Sequence, residues 1–148
     1  MTTTIRKATE DDLLSLMLLA KEFSKEAPET HKWDKDKTYQ FLKSALANDN
    51  TEIFVIDRDG ELVGSLVALV TQMYMSNKVV AAELAWFVSK DERGTPSSVK
   101  LIKTFESWAK SIGANYVVMA DLPEVADLGS LYSRLGYGPS ETSYIKEV

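Results

Sequence analysis

The chain has 148 residues, 45% of them hydrophobic and 26% charged, with no cysteine and a formal net charge of −5. That length suits one domain, residues 1–148, with a core of its own. The composition excludes disulfides and thiolate chemistry, an apolar run of the about 18 residues that a membrane-spanning helix needs is missing, and the acidic balance disfavours non-specific nucleic-acid binding.

Thr2–Ala8 reads as a short strand with Ile5 and Ala8 inward. The opening lacks an apolar signal core, so a cytoplasmic protein is the default expectation. Thr9 and Asp12 have capping-box spacing, and Leu13, Leu16, Ala20, Phe23 and Ala27 recur at helical period until Pro28 stops the run. A second helix is expected from Asp34, with Phe41, Leu42, Ala45 and Leu46 inward and Trp33 as a staple before it. Glu52–Asp57 and Glu61–Val70 read as strands joined at Asp59-Gly60, a strong hairpin signal.

Val79–Val88 is the next strand, followed by a polar loop, Lys90–Thr95. Pro96 fits the first turn of a helix that runs to Ile112, with Leu101, Phe105, Trp108 and Ile112 as its apolar stripe and Gly113 as its stop. Tyr116–Ala120 is a short apolar strand. A strand–helix–strand crossover makes it parallel to Val79–Val88. A last helix is expected over Ala126–Leu135, ending at Gly136, and a closing strand near Thr142–Lys146.

The helix that begins at Pro96 offers unpaired amides and a positive dipole end, which suit an anion such as a pyrophosphate. Arg93, Gly94, Thr95, Ser97 and Ser98 form the loop that feeds it, with Lys100 and Lys103 adding positive charge. The same segment reads equally well as an ordinary capped helix. Strand alternation puts Glu83 on one face with Ala81, Ala85 and Phe87, and an acid on an apolar face gains a raised pKa. Glu83 is therefore either a general base or a solvated charge at a sheet end. His31, the only histidine, reads as a solvated loop residue, and there is no metal-ligand pattern.

Four segments remain to be placed: Ile5-Arg6-Lys7-Ala8-Thr9-Glu10-Asp11-Asp12, Val63-Gly64, Glu83-Leu84-Ala85-Trp86-Phe87-Val88 with Arg93-Gly94, and Leu131-Tyr132-Ser133-Arg134-Leu135-Gly136-Tyr137. Through them nearly the whole chain resembles the GNAT superfamily of N-acetyltransferases. The resemblance implies an α/β fold with a mixed, mainly antiparallel sheet flanked by helices and splayed between parallel fourth and fifth strands. It implies acetyl-CoA as cosubstrate, with pantetheine pairing to the main chain of Trp86, Phe87 and Val88 and pyrophosphate at Arg93, Gly94, Thr95, Ser97 and Ser98.

In that reading Glu83 takes the proton of the attacking amine and Tyr132 protonates the departing thiolate. The acceptor is a small-molecule or protein amine near Glu26, Glu29, Asp34 and Asp36, attacked directly in a ternary complex; a homodimer stays open. Three positions depart from the family pattern, two of them, Pro96 and Ser98, at the small positions of the coenzyme loop. Pro96 brings no amide to the coenzyme loop, and Val125 stands where an asparagine is common. They favour the alternative, a non-catalytic CoA-binding or protein-interaction module.

Overall fold

The computed structural model describes residues 2–122 and 125–148. Five strands form one sheet in the order β1 (Thr3–Lys7), β2 (Thr51–Arg58), β3 (Glu61–Gln72), β4 (Val79–Val88) and β5 (Tyr116–Val118). Neighbours are antiparallel except β4 and β5, which are parallel, as the crossover rule requires. The α/β architecture expected from the sequence is therefore the observed one.

In β2 the run Ile53–Ile56 is buried throughout, because both faces of the strand are covered. Ile53 and Val55 pack towards helices α1 (Leu13–Glu26) and α2 (Lys35–Ala47), with Leu16, Leu19 and Leu42. Phe54 and Ile56 face the other way, against Leu101 and Phe105 of α3 (Pro96–Ser111). The β2–β3 turn has Asp59 at φ 52° and Gly60 at φ 90°, the left-handed pair that a tight hairpin demands. At the start of α1, Asp12 accepts from the Thr9 amide at 2.8 Å and from the Arg6 guanidinium at 2.8 and 2.9 Å, while Arg6 also reaches Asp57.

Several local expectations are corrected. Phe41 is 39% exposed and Ile112 is 42% exposed, so both sit at the margin of their helical stripes; in α1, Met17 and Leu19 join Leu16 on the buried face, while Leu13, Ala20 and Phe23 are only partly buried. The last helix, α4, spans only Gly129–Arg134, because Asp127 and Asp121 side chains bond the Gly129 and Leu128 amides and hold the preceding chain in a turn. Thr142–Lys146 forms no strand: it pairs with no neighbour, and Tyr144 is 93% exposed. Alternating side chains alone do not make a strand when no partner takes up the backbone hydrogen bonds. Among the described residues no helix is long and apolar enough to cross a membrane.

Candidate active site

The site is built where β5 leaves β4. Their pairing covers only Val80–Ala82 of β4 against Tyr116–Val118, so β4 continues through Trp86, Phe87 and Val88 with a parallel partner on one side no longer present. A bulge in the β3–β4 pairing lies at this point. Ala68 faces Glu83 and Val67 faces Ala85, which leaves Leu84 as an extra residue. The alternation therefore inverts. Glu83 shares the α3 side with Ala81, Trp86 and Val88, while Ala85 and Phe87 look towards α1 and α2. The sequence-based placing of Glu83 beside Ala85 and Phe87 is overturned, since one inserted residue shifts a period of two by a whole face.

Glu83 and Tyr132 both converge on Ala120, just beyond β5. Glu83 Oε1 accepts from the Ala120 amide at 3.0 Å, and the Tyr132 hydroxyl donates to the Ala120 carbonyl at 2.6 Å. Trp86 Nε1 donates to the Tyr132 hydroxyl at 3.0 Å. Burial pushes the Glu83 carboxyl up to about 7, against a smaller downward pull from the Ala120 amide. Burial likewise holds the Tyr132 phenol well above the usual tyrosine range; the Trp86 bond opposes this, and the nearby Glu83 and Asp121 charges add to it.

The loop after β4 folds as a turn, Lys90–Glu92, and then opens at Gly94, whose φ of 78° leaves its backbone unobstructed on the side where a Cβ would stand. Arg93 is held. Its guanidinium forms a paired bond to Glu26 at 2.9 and 2.8 Å, its Nε donates to the Val88 carbonyl at 2.8 Å, and it lies over the Phe87 ring. Glu26, read from the sequence as a lure for a cationic acceptor, is instead tied to this loop.

The hydroxyls are occupied too: Thr95 donates to the Glu92 carbonyl and Ser98 to the Thr95 carbonyl, so neither hydrogen points to a ligand in this arrangement. Pro96 stands at the first position of α3, where an amide has no intrahelical partner, and removes that donor. Ser97 lies in the same first turn, partly buried.

A cavity of about 360 Å³ joins these parts: Glu83, the Trp86–Val88 edge, Arg93, Gly94 and Ser98 line it, with Ala120–Leu122 opposite. Val125 and His31 also contribute to its wall. A second cavity, on the α1–α2 side, shares Phe23, His31 and Trp86 with it. Sequence reading passed over Ala120 as the end of a strand and took His31 as a solvated loop residue; His31 is indeed exposed, and it also lines the cavity. Only contacts across the chain bring them here. Among the described residues no group of three or more His, Asp or Glu stands ready for a metal.

Residues 15–137 match the acetyltransferase (GNAT) family. The chain belongs to this family. No curated protein matches it in sequence. Solved structures share its fold at low identity. AAC(6')-Iy in complex with CoA is 19% identical over 99% of this chain and 95% of that one, with a TM-score of 0.83. The same enzyme with the bisubstrate analogue CoA-S-monomethyl-acetylneamine is 18% identical over 100% and 99%, with a TM-score of 0.82.

A ribosomal-protein-alanine N-acetyltransferase from Brucella melitensis biovar Abortus 2308 is 17% identical over the whole of both chains, with a TM-score of 0.78. At these identities the likeness shows the GNAT fold. The strand gap beside β4, where Glu83 and Tyr132 meet, is part of that fold in this chain.

Proposed function

We propose that this chain transfers an acetyl group from acetyl-CoA to a primary amine by direct attack in a ternary complex. The observation that carries the reading is the convergence of a carboxyl poised near 7 and a protonated phenol on one peptide, Ala120, at the open edge of β4. Family membership supports acetyl transfer, and the neighbours solved with CoA or its analogue support acetyl-CoA as the donor. The open edge at Trp86–Val88 suits an extended pantetheine, and the Gly94 backbone with the amide-rich start of α3 suits its phosphates.

Glu83 accepts a proton from the incoming ammonium, directly or through water, which frees the nitrogen lone pair to attack the thioester carbonyl. The new N–C bond forms, the C–S bond breaks, and the Tyr132 hydroxyl passes its proton to the leaving thiolate. Tyr132 must turn its hydrogen from the Ala120 carbonyl to do so, and the Trp86 Nε1 donor then supports the phenolate. The chain has no cysteine to carry an acyl intermediate, which favours direct transfer.

Thermal melting tests the donor half. Acetyl-CoA at about 100 times its dissociation constant is expected to add roughly 2.7 kcal/mol of stability. Release of free thiol on adding amines tests the other half. A second reading, a CoA-binding module without turnover, is favoured by Pro96 and by the commitment of Arg93 to Glu26. A melting shift with no thiol release from any amine selects it, and no shift at millimolar ligand defeats both.

A further inference from the structure

The second cavity, about 430 Å³, lies between α1, α2 and the end of β4. It meets the coenzyme-side cavity at Phe23, His31, Ala85, Trp86 and Phe87. Its walls are mainly apolar and include the rings of Phe23, Trp33, Phe41, Trp86 and Phe87. Phe23 and Phe87 meet edge to face with centroids 5.5 Å apart, Trp33 and Phe41 come from the α2 side, and Leu16 and Leu19 from α1. The ionisable residues that line it are His31, Lys32 and Lys37, and none is a carboxylate. Lys32 Nζ is bonded to the Ser24 carbonyl at 2.8 Å. Among the described residues no carboxylate pairs with Lys37 Nζ.

We propose that the acceptor is a primary amine on an aromatic body that also carries a carboxylate. The proposal rests on the acyl-transfer reading above and names the substrate class for it. A flat apolar body leaves water for the aromatic walls, where ring–ring contacts add to the burial. A carboxylate on that body meets the unpaired Lys37, an electrostatic match that selects among partners more than it adds affinity. A polycation of the neamine kind gains nothing from this lining: it meets two lysines and no acid, and like charges count against it. The chain's net charge of −5 does not alter this, because the acids lie outside the cavity wall.

The probes are phenylalanine and 4-(aminomethyl)benzoate, 2-phenylethylamine as their analogue without a carboxylate, and neamine as the polycation. Calorimetric binding is measured with and without CoA, so that it does not depend on turnover, and thiol release from acetyl-CoA is measured in parallel. One or both carboxylate-bearing amines are expected to bind about 10-fold or more tightly than 2-phenylethylamine and neamine.

Lys37→Glu adds an acid to the first turn of α2, which the helix dipole tolerates, and is expected to erase that preference, with 2-phenylethylamine bound no more weakly than by the parent. Phe41→Ala, at a half-exposed position, is expected to weaken all the aromatic amines about 10-fold. Tighter binding of neamine, equal binding without the carboxylate, no binding of either acid, or a preference that survives Lys37→Glu overturns the proposal. Failure of acetyl-CoA to bind or to release thiol defeats the acyl-transfer reading instead, and the calorimetric order still decides the substrate class.

Discussion

Glu83 is partly buried at the point where β5 leaves β4, and its raised pKa of about 7 comes chiefly from desolvation. A base with that pKa is half ionised near neutrality, so the acidic limb of the pH–rate profile should have its midpoint near pH 7. Glu83→Gln keeps an acceptor for the Ala120 amide but cannot take a proton. We expect turnover to fall about 10²–10⁴-fold with acetyl-CoA affinity nearly unchanged, measured by steady-state kinetics and melting shift.

Stability should move the other way. A carboxyl whose folded pKa lies above its unfolded value favours the fold most at low pH and loses that contribution as pH rises through about 7. Above pH 7 the glutamine form should therefore equal or exceed the parent in stability, by up to about 3 kcal/mol. Tyr132 differs, since its hydroxyl both donates to Ala120 and accepts from Trp86. Tyr132→Phe should cost about 1–2 kcal/mol in chemical denaturation and about 10–10³-fold in turnover. The turnover loss should shrink for thioesters with a more acidic leaving thiol; a loss of equal size for all donors points to positioning alone.

At the scale of an element, the loop between β4 and α3 and the bulge in β4 set the geometry. Leu84 is the extra residue that turns Glu83 to the side of Ala120, so the strand's own periodicity is broken beside the proposed base. Arg93 braces the loop against the C-terminal turn of α1 through Glu26, whose carboxyl is held below the usual range chiefly by that guanidinium. Pro96 gives α3 a pre-set first turn but takes an amide from the proposed anion site. Pro96→Gly restores the donor, and we expect CoA to bind more tightly, with a gain below the about 1.5–3 kcal/mol of a charge-assisted bond because glycine also loosens the unbound loop. Calorimetric titration of the two forms checks it; equal or weaker binding by the glycine form means that phosphate lies elsewhere.

Across the whole molecule, ion pairs tie the helices to the sheet and reinforce strands that it already pairs. Arg6 in β1 bonds Asp12 at the head of α1 and Asp57 in β2, and Asp12 lies below the usual aspartate range mainly through its bond to Arg6. Its contribution is complete above the ordinary aspartate pKa and is lost as pH falls through the lower folded value. Asp12→Asn should thus lower stability by about 1–3 kcal/mol at pH 7, with the difference fading in strong acid, as denaturation midpoints across pH will show.

The sequence by itself determined the kinds of element and their order from β1 to α4. Short apolar runs between turn signals marked the strands, Asp59-Gly60 the hairpin, Pro96 and Gly113 the ends of α3, and the crossover rule the parallel pair. Two short motifs, around Glu83 and Tyr132, were enough to suggest the GNAT family. These are properties of neighbouring residues, and local dihedral preferences encode them.

Only the tertiary structure decided that Glu83 and Tyr132 share Ala120, that Arg93 is claimed by Glu26 across a separation of 67 residues, and that Thr142–Lys146 stays unpaired. Each depends on which distant segment packs alongside. A bulge exists only relative to a partner strand, and an ion pair only where two surfaces meet, so no local pattern of residues announces either.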